Sequence, residues 1–413
     1  MTETNSAQRD FALEVVRTLR GADHQALWAG GCVRDALLGK QPKDYDVATD
    51  ATPDRVREVF GRRRTLAIGA SFGVITVLGP KPKAGSPKID PIEVATFRTD
   101  GGYADGRRPE SVSYTTAEHD AERRDFTING LFFDPVESRV IDYVGGEQDL
   151  RAGVVRAIGE ADRRFDEDKL RMLRAVRFAA TLGFRVDPET MEAVGRRAAE
   201  LTAVSAERIG AETRRMLVDT HRSEALRLLS ETGLMALVLP PLGGADAKTL
   251  AERRAVAERL SAPTLELALA ACLDQVAKPE AIAATARALR FTTKESQAAA
   301  WIVRHAPLVA GAAEAPWSAV QPWLATSHGA DAVALAEATA GAATEGSLYC
   351  RERLAWPSER LDPPPLLGGA ELIALGMRPG PGFAELIGRV RAAQLDGEIE
   401  TAEQAVALVE GQR

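Results

Sequence analysis

"GGCVRDALLGKQPKDYDVATDATPDRV", residues 30–56, decides the fold. Gly30 and Gly31 read as a turn opening a helix, where a backbone without Cβ atoms lets N–H groups approach an anion. Arg34 adds a charge-assisted bond to phosphate. Further on, Asp44 and Asp46 stand one residue apart. Alternate residues of a strand share a face, so the two carboxylates converge at a strand end. Unpaired, they repel. A divalent cation resolves that repulsion, and hard oxygen ligands suit Mg2+ carrying substrate phosphates. The combination describes phosphoryl or nucleotidyl transfer with two metal ions, one activating an attacking hydroxyl and one steadying the leaving pyrophosphate.

The rest of the chain sets limits on that reading. Its 413 residues are enough for roughly two or three domains. With 45% apolar and 27% charged residues it reads as globular rather than disordered. No run of eighteen apolar residues offers a membrane span, and "MTETNSAQRDF" lacks a basic region followed by an apolar core, so a cytoplasmic location without membrane contact is expected. Cys32, Cys272 and Cys350 lie far apart with no Cys-x-x-Cys spacing and read as packing residues. The five histidines form no His-x-x-x-His pair, which argues against an appended metal-dependent phosphohydrolase domain. "GASFG", residues 69–73, matches Gly-x-Ser-x-Gly, but "VITVLG" continues it as strand where a nucleophile elbow needs a helix, so Ser71 is not a nucleophile.

A net charge of -7 argues against a broad nonspecific nucleic-acid binder. Basic residues nevertheless gather at 55–64, 106–109, 122–125 and 163–178, around the carboxylates, which points to a polyanionic ligand. Up to about residue 150, short β-rich runs alternate with glycine turns, the pattern of an α/β or α+β domain. Beyond it the apolar spacing is helical, as in "EALRLLSETGLMALVLPPLGG", residues 224–244. "WPSERLDPPPLLGG", residues 356–369, reads as a linker before a helical tail over 370–413. Residues 79–91 exceed a tight hairpin, carry three lysines and receive no functional assignment.

Five segments carry a resemblance: "GGCVRDALLGKQPKDYDVAT", "IEVATFRTDGGYADGRRPESV", "ERRDFTINGLFFDP", "EDKLRMLRAVRFAATLGF" and "SAERIGAE". In order and spacing, over about residues 27–212, the chain resembles the class II tRNA nucleotidyltransferase and bacterial poly(A) polymerase family. Residues 366–409 are similar to the C-terminal helices of bacterial CCA-adding enzymes. The resemblance implies an α+β fold with a small mixed sheet in a catalytic head (1–155), then an all-helical neck (156–215), body (216–355), and linker with tail (356–413). It implies that Asp44 and Asp46 hold Mg2+, that Glu93 is the third catalytic carboxylate, and that Gly31 and Arg34 contact the triphosphate. Arg124 would sit at the nucleotide with Asp125 near the ribose. Asp168 and Arg171 would face the incoming base, with Arg174 and Arg177 further along the nucleotide, and Arg208 and Glu212 would brace the neck. The partners implied are the tRNA acceptor end and elbow, ATP and CTP, with no protein partner.

The base-reading pair also has a logic of its own. Cytosine and adenine both present an amino donor beside a ring-nitrogen acceptor, whereas uracil and guanine present a carbonyl beside N–H. A carboxylate and a guanidinium three residues apart on a helix share a face, so Asp168 would accept from the amino group while Arg171 donates to the ring nitrogen. Arg177, offset by the drift of three-residue steps, faces elsewhere. Three functions remain open: synthesis of a full CCA end, addition of a terminal A or poly(A) tail by the same chemistry, and RNA binding without catalysis. The loop "RTDGGYADGRRP", residues 98–109, is like that of CCA-adding and A-adding members, and all three carboxylates are intact.

Overall fold

The computed structural model describes residues 3–80, 89–101, 112–378, 380 and 382–411. The 79–91 excursion and the 98–109 loop therefore fall largely outside the described residues. Two compact units emerge, Met1–Met216 with Leu228–Val238 and Leu217–Arg227 with Leu239–Arg413.

The first unit opens with α1 (Glu3–Arg20), β1 (Ala26–Ala29), α2 (Gly31–Leu37), β2 (Asp46–Thr49) and α3 (Pro53–Phe60). Next come β3 (Thr65–Leu66), β4 (Val74–Val77), β5 (Ile92–Thr96), β6 (Arg98–Asp100), β7 (Val112–Tyr114), α4 (Ala117–Glu122), β8 (Phe132–Asp134) and β9 (Arg139–Ile141). Seven strands form one sheet in the order β3-β4-β5-β2-β1-β8-β9. Only β2 and β5 pair in parallel, which makes the sheet mixed.

Strand β1 is buried on both faces, as a central strand of four apolar residues requires. On one face Leu27, Ala29 and Ala48 join Phe97, Ala117, Ala121 and Phe132 in a core. On the other, Trp28 meets Tyr45 at 4.8 Å and Phe133 at 5.7 Å between ring centres. Thr52 caps α3, and Pro53 occupies its first turn, where a missing N–H costs nothing. The Gly-x-Ser-x-Gly stretch forms a short 3-10 turn running into β4, so Ser71 has no elbow beneath it.

The same unit continues through α5 (Gly146–Ala152), β10 (Val154–Val155), α6 (Ala161–Glu167), α7 (Leu170–Leu182), β11 (Arg185–Val186), α8 (Pro188–Arg197) and α9 (Ala206–Leu217). β10 and β11 pair in parallel and bracket α6 and α7. Helix α7 stops at Gly183, whose φ of 70° is the left-handed region glycine enters without strain.

The second unit is helical. Ala247–Arg259, Leu265–Leu273, Pro279–Ala288 and Thr293–His305 pack in succession, the last begun by a reciprocal Thr292–Glu295 capping box. Arg222, 1% exposed, donates to the carbonyls of Leu217, Ala257 and Leu260, each at 2.9 Å. The C-terminal helices Gly382–Leu395 and Ala402–Glu410 close over Leu367, Leu372, Val390 and Val409. Among the described residues no helix is long and apolar enough to cross a membrane.

Candidate active site

Asp46 begins β2 and lies directly across the parallel pairing from Glu93 in β5. Opposed residues of neighbouring strands share a sheet face, so both carboxylates project to one side. Asp44 precedes the strand rather than belonging to it, yet the alternation continues through it. Asp44, Asp46 and Glu93 are exposed, while Tyr45, Val47, Ile92 and Val94 between them are buried. Ala29, opposite Asp46 on β1, adds only a methyl group to this row.

The Asp46 side chain reaches solvent at the strand mouth. Burial against the sheet, then the Asp44 and Glu93 carboxylates, push its carboxyl up to about 6, with Arg124 pulling the other way. Such concentrated negative charge fits a hard divalent cation. Among the described residues no three His, Cys, Asp or Glu side chains form a ready-made metal cage. Two carboxylates that leave coordination positions to water and substrate phosphate match the sparse protein ligation typical of Mg2+.

Gly30 leads from β1 into α2 with φ 72°, and its N–H donates to Leu131 O at 3.0 Å. A Cβ there would lie 2.9 Å from Arg124 Nη1, whereas one on Gly31 would meet nothing closer than Arg34 Nη2 at 3.9 Å. Gly30 is therefore required by backbone and neighbour alike, while Gly31 stands in open space.

Asn129, which the sequence reading did not single out, links the remaining groups. Its Oδ1 accepts from Arg34 Nη1 at 2.7 Å, its Nδ2 donates to Asp125 Oδ1 at 3.0 Å, and its backbone oxygen accepts from Arg124 Nη1 at 3.2 Å. Asp120, 1% exposed, holds Arg123 and Arg124 from behind. The only sign of Asn129 in the sequence was its place inside "ERRDFTINGLFFDP".

Asp125 is buried, and Arg174 Nε and Nη2 donate to its Oδ2 at 2.8 and 2.5 Å. Although burial alone would raise it, the Arg174 charge and the hydrogen bonds from Asn129 and Arg174 bring its carboxyl down to about 2. Glu212 takes the next position, paired with Arg177 and with Arg215 at 3.0 Å and facing Arg174 at 3.8 Å. The guanidiniums of Arg34, Arg174 and Arg177 lie 5.1, 5.2 and 3.9 Å from the centre of the Phe178 ring. The glycine-turn arginine and the two neck arginines are thus brought to one place.

Asp168 and Arg171 require a correction. They do not share a helix face, because α6 ends at Glu167 and Asp168 is extended, with φ -150° and ψ 104°. Its carboxylate accepts from the Leu170 N–H at 3.0 Å, competing with helix continuation as short polar side chains do. Arg171, in the first turn of α7, is 8% exposed and donates to Glu167 Oε2 and to the carbonyls of Arg164 and Arg123. Arg208, expected only to brace the neck, reaches Asp168 directly. A cavity of about 650 Å³ opens beside this break, lined by His119, Arg123, Tyr143, Arg163, Arg164 and Glu167 among others, and excludes the three carboxylates.

The three cysteines are buried and free, as packing residues should be. Burial pushes the thiols of Cys32 and Cys272 up to about 12 and that of Cys350 to about 11.

Residues 26–156 match the family described as the Poly A polymerase head domain, and residues 183–243 match "Probable RNA and SrmB- binding site of polymerase A". The CCA-adding enzyme of Geobacillus stearothermophilus is 42% identical over 236 residues, covering 57% of this chain and 55% of that protein. Poly(A) polymerase I of Escherichia coli O157:H7 is 41% identical over 245 residues, covering 56% and 50%. The chain spans about half the length of the curated relatives it matches. The crystal structure of the Bacillus stearothermophilus CCA-adding enzyme in complex with CTP superposes with a TM-score of 0.78 at 29% identity, over 97% of each chain.

Proposed function

We propose, on the premise that the head of this chain is a poly A polymerase head domain, that the protein is a template-independent nucleotidyltransferase completing tRNA 3' ends with CCA from CTP and ATP. The observation that carries the reading is the register of Asp46 against Glu93, with Asp44 on the same exposed side. Asp44 and Asp46 would hold Mg2+, with Glu93 as the third catalytic carboxylate. Held by these carboxylates, the cation would supply Lewis-acid activation for the terminal 3'-hydroxyl and positive charge for the departing pyrophosphate. The 3'-oxygen attacks the α-phosphorus of the nucleotide, and the bond to pyrophosphate breaks.

The remaining residues bind and orient. Gly31 leaves room for the triphosphate, and Arg34 offers it charge from a guanidinium held by Asp35 and Asn129. Arg124, backed by Asp120, faces the nucleotide beside Asp46. Asp125 takes the ribose side with Arg174, and Arg177 extends the cationic wall. Asp168 and Arg171 read the base edge.

Incubation with tRNA transcripts lacking three, two or one terminal nucleotides, each with single NTPs and Mg2+, tests the assignment. Addition of C, C and then A, stopping at A, is the expected result. The identity to Poly(A) polymerase I favours one second reading. Long tails from ATP alone on unrelated RNA would establish that reading, and A addition restricted to ends already carrying CC would indicate an A-adding enzyme. No metal-dependent incorporation of any nucleotide would leave an RNA-binding protein.

A further inference from the structure

The carboxylate of Asp168 is already largely engaged. Oδ1 accepts from the Leu170 N–H at 3.0 Å and from Arg208 Nη1 at 3.0 Å, while Oδ2 accepts from Arg208 Nη2 at 2.6 Å. A carboxylate offers about four acceptor sites, two on each oxygen. Three are taken, and the fourth lies on Oδ2. Arg208 comes from α9, 40 residues along the chain, and its two parallel bonds clamp the carboxylate in the plane of the guanidinium. Neither side chain is free to swing, with Arg208 20% and Asp168 17% exposed.

We propose that Arg208 is a specificity-positioning residue, which fixes the Asp168 carboxylate so that a base meets one immobile acceptor. The terminal torsion of an aspartate is otherwise broad and roughly two-fold. An unclamped carboxylate turns away from the carbonyl of uracil or guanine and forgives the mismatch; a clamped one cannot. Selectivity then comes from repulsion that the wrong base cannot escape, rather than from a stronger bond to the right one. Arg171 is immobilised in the same way by Glu167 and two backbone carbonyls. The neck therefore presents a donor and an acceptor of set position without a nucleic-acid template.

This inference rests on Asp168 facing the base, so the experiment separates the two. Incorporation of each of the four nucleotides into tRNA lacking its terminal residues is measured for wild type, Asp168→Ala, Arg208→Gln and Arg208→Lys, with melting temperatures alongside. Arg208→Gln is expected to raise UMP and GMP incorporation relative to CMP and AMP by about 10-fold. Arg208→Lys, whose single ammonium cannot grip both oxygens in plane, should show a smaller rise in the same direction. A merely structural role would lower all four rates together and leave their ratios unchanged. If Arg208→Gln does not fold, Arg208→Lys decides. Unchanged ratios in the Arg208 variants, beside altered ratios in Asp168→Ala, overturn the inference and leave base reading intact. Unchanged ratios in Asp168→Ala overturn base reading itself.

Discussion

Asp46 and Glu93 stand opposite one another across the only parallel pairing of the seven-stranded sheet. With Asp44 beside them, the fold holds like charges together at a strand mouth, an arrangement that costs stability and that a divalent cation would relieve.

Replacing Asp46 by Asn should reduce metal-dependent nucleotide incorporation by on the order of a thousandfold, since one ligand charge is lost where charge develops. The same change should raise the melting temperature in EDTA, because it removes repulsion from Asp44 and Glu93. Mg2+ should raise the melting temperature of wild type and not of the variant. A variant that melts lower than wild type in EDTA would show that the carboxylates do not strain the fold.

The buried Asp125–Arg174 pair predicts a pH dependence. Asp125 is held at about 2, below the roughly 3.9 of an unfolded aspartate. Its contribution is therefore complete above about pH 4 and is lost as the pH falls through 2. Asp125→Asn should cost roughly 3 kcal/mol at pH 7, because Arg174 loses its hydrogen-bonded buried counter-charge and keeps only Glu212 at 3.8 Å. Urea midpoints should show the gap between variant and wild type shrinking only below about pH 4.

The two glycines of the turn should behave differently. Gly30→Ala forces a side chain into φ 72° and towards Arg124, 2.9 Å from the added carbon, and should cost at least roughly 1–2 kcal/mol of stability. Gly31→Ala meets no close neighbour and should leave the melting temperature alone while raising KM for the nucleotide. Equal effects on stability would show that Gly31 is needed for folding rather than for phosphate.

Residues 370–413 carry seven acidic and four basic side chains, so any grip they provide on RNA is one of shape rather than charge. Their deletion should weaken full-length tRNA much more than an acceptor-stem mimic and leave the salt dependence of binding nearly unchanged. A large loss of salt dependence would place the phosphate contacts in the tail.

Part of the carboxylate row was legible because strand alternation is a local property: Asp44 and Asp46 could be placed on one side from spacing alone. Glu93 entered only through the family resemblance, since its opposition to Asp46 depends on which strands pair. The break at Asp168 was not legible. "EDKLRMLR" has helical spacing throughout, and what ends α6 is a carboxylate turning back onto the Leu170 N–H, a choice made favourable by Arg208 from a distant helix. Asn129 was hidden for the same reason. Its three partners lie on α2, beside the end of α4 and in the turn after it, and only packing brings them to one amide. The sheet order was beyond reach too, since β5 joins β2 rather than the strand that follows it in sequence.

The position of that parallel pair also orders assembly. β1 and β2 pair antiparallel within residues 26–49 and can close early, whereas β5 begins only at Ile92 and β8 only at Phe132. Contacts that close longer loops form later on average. The opposition of Asp46 to Glu93 thus waits until the two-stranded seed that carries Asp46 exists to bear it. A nascent chain that has not yet released residue 93 carries Asp44 and Asp46 but not the completed row, and the third carboxylate adds its charge only when β5 docks beside β2.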